Sequence, residues 1–279
     1  MYPVLFKIGP FELRSYGVML ALGFLFGIII ASKRAVQKGL EQKFIGDLSI
    51  VVIISSIVGS RLFYVMFHTK EFSGHWLDAI SPIQSDGSCG LAGLSMMGGV
   101  VLAIISGIAY AVQRKQDIYK VADTVAPSIA LGYGFGRIGC FLNGCCFGLP
   151  TNSPIAVVFP PGSPAGTVFP NTPLIPTQLY ASAFGFLLFV DLILIEKIAS
   201  PPDGVLFGYL LIFYSVYRFI IDIFRFYEPN AIVMKIGSFN LTNNQIIVIV
   251  LFFVGVIFVV NGFARKIRKN LDEDSGVRD

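Results

Sequence analysis

Residues 134–148 read Gly134-Phe-Gly-Arg-Ile-Gly-Cys-Phe-Leu-Asn-Gly-Cys-Cys-Phe-Gly148. The stretch belongs to a long apolar run, yet it carries five glycines, three cysteines, an arginine and an asparagine. An arginine at membrane depth costs about 2.5–3.5 kcal/mol on insertion scales. Arg137 therefore needs a partner, which is either an acid on a neighbouring helix or an anionic ligand. The glycines lack Cβ and let a second backbone or a lipid headgroup approach closely.

The rest of the chain says that this run crosses a bilayer. Of 279 residues 54% are hydrophobic and only 14% charged, where a soluble domain has about 25% charged. Mean hydropathy is +0.74. Residues 48–67, 91–112 and 177–194 are each near the roughly 20 apolar residues needed to span the hydrocarbon core. Seven spans are expected, near 16–32, 46–67, 91–112, 124–146, 177–195, 205–226 and 244–263. The first follows Glu12 and Arg14 with no small-residue cleavage site behind it, so it reads as a retained helix rather than a removed signal peptide. The expected fold is an all-α integral membrane bundle of seven transmembrane helices, forming one polytopic domain over residues 1–279. A small outer loop region at 149–176 and a disordered polar tail at 271–279 complete it.

Charge placement predicts the orientation. Lys33, Arg34, Lys38 and Lys43 follow the first span, Arg114, Lys115 and Lys120 the third, Lys197 the fifth, and Arg265, Lys266, Arg268, Lys269 and Arg278 the seventh. The other side holds Lys7, Arg14, Lys70 and Lys235, with Arg225 at its edge. The positive-inside rule then puts the N-terminus outside and the C-terminus in the cytoplasm. A net charge of +4 gives no reason to expect nucleic acid.

Four cysteines are too few and too clustered for a disulfide framework. Cys140, Cys145 and Cys146 form a Cys-x4-Cys-Cys pattern that matches no strong zinc spacing. They are expected to pack as small apolar residues, with no metal and no cofactor. A bridge from Cys89 to this group stays open. The loop 68–90 contains both histidines, His68 and His75, and the single tryptophan, Trp76, which reads first as an interfacial anchor. The loop 149–176 has no charged residue. It suits either short strands against lipid or a peptide, or a proline-stiffened connector.

Four ionisable residues fall well inside the spans: Arg61, Arg137, Arg218 and Asp222. Arg218, Asp222 and Arg225 are spaced i, i+4 and i+7 and share one helical face. An Arg218–Asp222 pair still leaves cations in excess of acids. Intramembrane arginines face the bundle interior or a wet cavity, and guanidinium groups suit phosphate. The inferred ligand is an amphipathic phosphate, most simply a phospholipid headgroup. Pro176-Thr-Gln-Leu-Tyr180, Asn243-Asn-Gln245 and Tyr16 open the fifth, seventh and first spans, where they are placed to cap helices or to hold that headgroup.

With these residues gathered, the chain resembles the prolipoprotein diacylglyceryl transferase family of bacterial inner membranes. The resemblance rests on six stretches in order. They are Pro3-Val-Leu-Phe-Lys-Ile-Gly-Pro-Phe-Glu-Leu-Arg-Ser-Tyr-Gly17, Gly59-Ser-Arg61, Gly93-Leu-Ser-Met-Met-Gly-Gly99, the 136–148 signature, Pro176–Tyr180, and Tyr217-Arg-Phe-Ile-Ile-Asp-Ile-Phe-Arg225 with Gln245. The resemblance implies transfer of a diacylglyceryl group from phosphatidylglycerol to the lipobox cysteine thiol of a preprolipoprotein signal peptide, in a multi-pass protein of the bacterial inner membrane. It implies that Arg137 and Arg218 hold the phosphate, that Tyr16 lines the site, and that Asp222 stands where the family has a glutamate. Arg61, Asn143, Gln178, Tyr180, Arg225 and Gln245 are the expected substrate contacts. The pattern departs from the family at three places. Met97 replaces a histidine, Cys140 an asparagine and Cys145 a glutamate, so the base that takes the thiol proton is unassigned. Transfer to another acceptor within the same fold, and non-enzymatic anion transport, are the competing readings.

Overall fold

The computed structural model describes residues 3–8, 11–72, 75–76, 93–228, 232–236 and 239–274. Seven helices in it are long and apolar enough to cross a membrane: α1 (Ser15–Gln37), α2 (Gln42–Phe67), α3 (Met96–Gln113), α4 (Ile118–Asn143), α6 (Thr177–Ala199), α7 (Val205–Ile223) and α8 (Asn243–Asp274). At about 1.5 Å per residue even the 18 residues of α3 reach most of the way across a hydrocarbon core about 30 Å thick. The remaining elements are short. Strands β1 (Val4–Ile8) and β2 (Phe11–Arg14) pair, as do β3 (Val157–Val158) with β4 (Pro173–Leu174) and β5 (Ile232–Ile236) with β6 (Phe239–Thr242), and α5 (Pro164–Val168) is a single turn and a half.

All seven expected spans are present, and the boundaries differ where polar residues extend a helix. The last is the clearest case. An apolar segment ending near 263 was expected, followed by a disordered tail from Leu271, yet α8 continues through Arg265, Lys266, Arg268 and Lys269 to Asp274. Lysine and arginine are good helix formers in water, so the helix outlasts its apolar part. Residues 275–279 lie outside the described residues, as do Cys89 and most of the 68–90 loop.

The chain divides into two compact units. One comprises residues 6–12 and 32–121, with α2 and α3 packed along each other at its centre. Small residues set that contact. A Cβ on Gly59 would stand 2.5 Å from the Gly98 carbonyl oxygen and 2.6 Å from Leu102 Cβ, so neither helix tolerates a larger residue there. The Ser95 amide donates to the Ser60 carbonyl oxygen at 2.9 Å, and Ser106 Oγ donates to Ser55 Oγ at 2.7 Å. The motifs 59–61 and 93–99 are thus two sides of one helix contact.

The other unit comprises residues 1–5, 13–31 and 122–279. Its apolar centre joins Ala126 and Ala130 of α4, Leu188 and Leu192 of α6, and Leu206 and Leu210 of α7. Close backbone approach recurs: a Cβ on Gly185 would lie 2.7 Å from the Gly134 nitrogen, and Ser182 Oγ donates to the Gly134 carbonyl oxygen at 3.0 Å. The buried Asp123 carboxylate accepts from the Gly204 and Phe207 amides at 2.9 and 2.8 Å. It satisfies donors that α7 cannot satisfy internally at its start.

The uncharged stretch 149–176 contains two short strands and the short helix α5. Strands β3 and β4 pair antiparallel, Val157 with Leu174 and Val158 with Pro173. Phe159, Ala165 and Leu174 bury with Phe147 in a small apolar core of their own. Ser163 caps α5 by accepting from the Gly166 amide at 3.1 Å.

Candidate active site

Apart from those of Arg61 and Met97, every geometric relation that follows lies within the second unit described above. Helix α4 carries Tyr133, Arg137 and Cys140 on successive turns, since residues four and three apart share a face. The Arg137 guanidinium lies over the Tyr133 ring, 4.8 Å from its centroid. No carboxylate pairs with Arg137 among the described residues.

Helix α7 supplies the opposite partners. Arg218 Nη1 meets Asp222 Oδ1 at 2.7 Å, and Arg225 Nη1 approaches the same oxygen at 3.8 Å. The Tyr227 hydroxyl donates to Asp222 Oδ1 at 2.7 Å, and it accepts from Arg218 Nη2 at 3.1 Å and from Asn244 Nδ2 at 3.2 Å. A single carboxylate oxygen thus gathers two guanidinium groups and a phenol. Burial pushes the Tyr227 phenol above the ordinary tyrosine range, against the pull of Arg225 and Arg218, so it remains a donor at neutral pH. Asp222 Oδ2, Arg225 Nε, and the Tyr133 and Tyr217 hydroxyls are buried without a hydrogen-bond partner. Arg137, Arg218 and Arg225 all lie near enough to Tyr133 and Tyr217 to act on their hydroxyls electrostatically. The rings are fixed: Tyr217 stacks on Phe184 with centroids 3.9 Å apart, and Tyr133 meets Tyr214 edge to face at 5.3 Å.

The chain leaving α4 is tied to the chain leaving α7. Gly148 and Arg225 form an antiparallel bridge. The Leu149 amide donates to the Phe224 carbonyl oxygen at 2.9 Å and the Phe226 amide to that of Phe147 at 3.2 Å. Gly148 is required by this junction, because a Cβ there would stand 2.7 Å from the Ile175 carbonyl oxygen and 2.9 Å from that of Phe224. The start of α6 clamps the same turn. Thr177 Oγ1 donates to the Cys146 carbonyl oxygen and Gln178 Nε2 to that of Cys145, both at 2.9 Å. Gln178 Oε1 stays buried without a partner.

Several expected site residues are therefore neighbours: Arg218 and Arg225 on the Asp222 carboxylate, Arg137 on Tyr133, and Gln178 on the Cys145 carbonyl oxygen, two residues beyond Asn143, the last residue of α4. Tyr16 opens α1 beside Gly139, where a Cβ would meet its ring at 3.0 Å, within electrostatic reach of Arg137 and all three cysteines. Three others are placed differently. Gln245 is committed at both ends of its amide, accepting from the Thr242 amide at 3.0 Å and donating to the Phe219 carbonyl oxygen at 3.4 Å. Tyr180 is 37% exposed, two residues beyond Gln178 and so on another face of α6. Arg61 belongs to the first-described unit, where Nη1 donates to the Gly93 carbonyl oxygen at 3.2 Å and the guanidinium lies 5.1 Å from the Phe72 ring centroid. Met97, at the position of the family histidine, is 52% exposed in that unit.

Sequence reasoning missed Tyr133, Tyr217 and Tyr227 as site residues, and named Asn244 only within the polar opening of the seventh span. Tyr133 and Tyr217 were findable, since one is four residues before Arg137 and the other adjoins Arg218. Tyr227 lies beyond the end of α7 and Asn244 in the first turn of α8, where no spacing rule brings them to Asp222.

With seven helices long and apolar enough to cross a membrane, the chain is by class a multi-pass helical membrane protein. The sequence model of the family described as prolipoprotein diacylglyceryl transferase matches residues 3–261, and the chain belongs to that family. A Clostridium tetani phosphatidylglycerol–prolipoprotein diacylglyceryl transferase is 37% identical over 227 residues, covering 81% of this chain and 86% of the relative. The proteins of that name from Aliivibrio salmonicida and Geobacter sulfurreducens are 33% and 31% identical over 280 and 270 residues. Those two alignments cover 98% and 95% of this chain and 92% and 96% of the relatives.

Proposed function

We propose that this protein transfers the diacylglyceryl group of phosphatidylglycerol to the lipobox cysteine thiol of preprolipoprotein signal peptides. It does so as a multi-pass protein of the bacterial inner membrane, with the N-terminus outside and the C-terminus in the cytoplasm. The observation that carries the reading is the charge count at the site: Arg218 and Arg225 share the single carboxylate of Asp222, and Arg137, over the Tyr133 ring, pairs with no carboxylate among the described residues. Buried donors and acceptors there also lack partners, whereas buried polar groups in proteins are nearly always satisfied. A phosphate at that place supplies both the charge and the acceptors.

The reaction breaks the bond between the glyceryl carbon and the phosphate oxygen and forms a carbon–sulfur bond. The thiol gives up its proton, the sulfur supplies the bonding pair, and the phosphate oxygen keeps the pair of the broken bond and leaves as glycerol phosphate. The leaving phosphate gains negative charge as the bond breaks. Fixed guanidinium groups in a water-poor site stabilise that charge more in the transition state than in the bound lipid. Arg137 is the free cation of the set, Arg218 is held by Asp222 and Tyr227, and Arg225 lies between. Tyr16 lines the same end of α4, and Asn143 and Gln178 hold the turn at Cys145. Thiolate is the attacking species, and neighbouring cations favour it. Arg61 and Tyr180 remain lipid contacts in this proposal.

The test is direct. Purified protein in vesicles of labelled phosphatidylglycerol with a lipobox peptide should add one diacylglyceryl group to the peptide cysteine and release glycerol phosphate. A serine peptide should stay unmodified. Absence of transfer would overturn the proposal, and phosphate flux without transfer would make the protein a transporter.

A further inference from the structure

The three cysteines of the signature lie together and are all free thiols. Their Sγ atoms all lie within 4.8 Å of one another. Cys140 is buried and the other two half-buried. The backbone is bent to achieve this. Helix α4 ends at Asn143, Gly144 takes φ 73° and Cys146 φ 63°. The Cys145 amide folds back to the Cys140 carbonyl oxygen at 3.1 Å. A left-handed backbone is uncommon for a residue with a Cβ and concentrates at functional sites. The Thr177 and Gln178 side chains pin the carbonyls of Cys146 and Cys145, so the bend is held by a second layer of hydrogen bonds.

We propose that Cys140, Cys145 and Cys146 form a three-thiolate site for a soft divalent cation of the zinc class, whose fourth position receives the acceptor thiol. Tetrahedral zinc with Zn–S bonds near 2.3 Å requires sulfurs about 3.8 Å apart, so the present spacing needs shifts of at most about 1 Å, within reach of side-chain rotation. Three protein ligands with an open fourth position is the arrangement of catalytic rather than structural zinc. Charge agrees as well. Three thiolates on a dication leave one negative charge, and Arg137 and Arg225 both act electrostatically on Cys146.

The assignment of the fourth position rests on the transferase reading; the metal site itself does not. The balance closes without an oxidant. Metal binding releases three thiol protons to water, and coordination of the acceptor releases a fourth. The metal-bound sulfur then donates its pair to the glyceryl carbon as the phosphate departs with the electrons of the carbon–oxygen bond. The resulting thioether is neutral and a weaker ligand than thiolate, so product leaves. The missing histidine and glutamate of the family pattern would thereby be replaced by a Lewis acid that lowers the thiol's proton affinity.

The experiment uses the full chain in detergent, reduced, stripped with chelator and titrated anaerobically with cobalt(II). Thiolate-to-cobalt charge-transfer absorption should saturate at one cobalt per chain and be displaced by zinc. It should persist in Cys89→Ser and fall at least tenfold in apparent affinity in Cys140→Ser and Cys146→Ser. Zinc should also protect the three thiols of the unmutated protein from maleimide, a measurement that no folding defect confounds. No charge-transfer absorption, no protection, or a disulfide among the three in the freshly purified protein would overturn the site. A lipobox cysteine peptide should then shift the cobalt spectrum while its serine analogue does not. Cobalt bound without that shift overturns the fourth-position assignment alone. Cobalt bound and shifted with no transfer from phosphatidylglycerol overturns the transferase reading and leaves the metal site standing.

Discussion

Replacing Arg137 separates function from folding, because this arginine has no acid partner among the described residues. Its guanidinium lies over the face of Tyr133 at 4.8 Å, a contact worth about 0.5–2 kcal/mol. Against that stands the cost of about 2.5–3.5 kcal/mol for a guanidinium at membrane depth. Arg137→Ala should therefore leave stability unchanged or slightly raised. Transfer should behave otherwise: removal of one preorganised group that stabilises developing charge costs about 2.7–4 kcal/mol, or a factor of about 100–1,000 in rate. Arg137→Lys keeps the charge but not the planar fork and should fall between. The assay is diacylglyceryl transfer from labelled phosphatidylglycerol to a lipobox peptide in proteoliposomes, paired with thermal unfolding in detergent. Wild-type turnover by Arg137→Ala, or an equal loss of activity and stability, would refute the argument that an unpaired cation serves the lipid phosphate.

Other substitutions test the supporting structure. Asp222→Asn strands two buried guanidinium groups and should destabilise by about 3–5 kcal/mol, read from thermal unfolding; unchanged stability would mean the pairs at Asp222 Oδ1 are not formed. Tyr227→Phe removes one donor and one acceptor from the same node and should cost about 1–3 kcal/mol, with transfer lowered less than in Arg137→Ala. Gly185→Ala drives a methyl to 2.7 Å from the Gly134 nitrogen and should destabilise by about 1–3 kcal/mol. In contrast Gly132→Ala, where a Cβ meets nothing within 4 Å, should be neutral or stabilising through helix propensity, and a loss there would upset the packing description.

The spans were legible because the requirement for about 20 apolar residues per crossing is written directly in composition. The ion pair of Arg218 with Asp222 followed from i, i+4 spacing. The site around it was only partly legible. Tyr227 reaches Asp222 because the chain turns back at Phe224, and Asn244 arrives on another helix; both are tertiary facts. Gln245, expected at the lipid, turned out to hold the Thr242 amide, since a side-chain amide at a helix start satisfies the nearest unpaired backbone group. The closeness of the three sulfurs was hidden for a related reason. Cys-x4-Cys-Cys is not a zinc spacing on a straight helix, and only the left-handed turn at Gly144 and Cys146 brings the sulfurs together.

The unequal grip of Asp222 has a consequence for the resting protein. Arg218 is seated at 2.7 Å, and Arg225 stands off at 3.8 Å from the same oxygen. On the proposed reading the carboxylate would act as ballast, a built-in counter-ion for a protein with no lipid bound. An arriving headgroup would not have to dislodge the firm pair: it would meet Arg137 and draw Arg225 from its looser hold. After the product departed, the Arg218 and Arg225 side chains would have an anion to fall back on, and the empty state would be a rest position rather than a strained one.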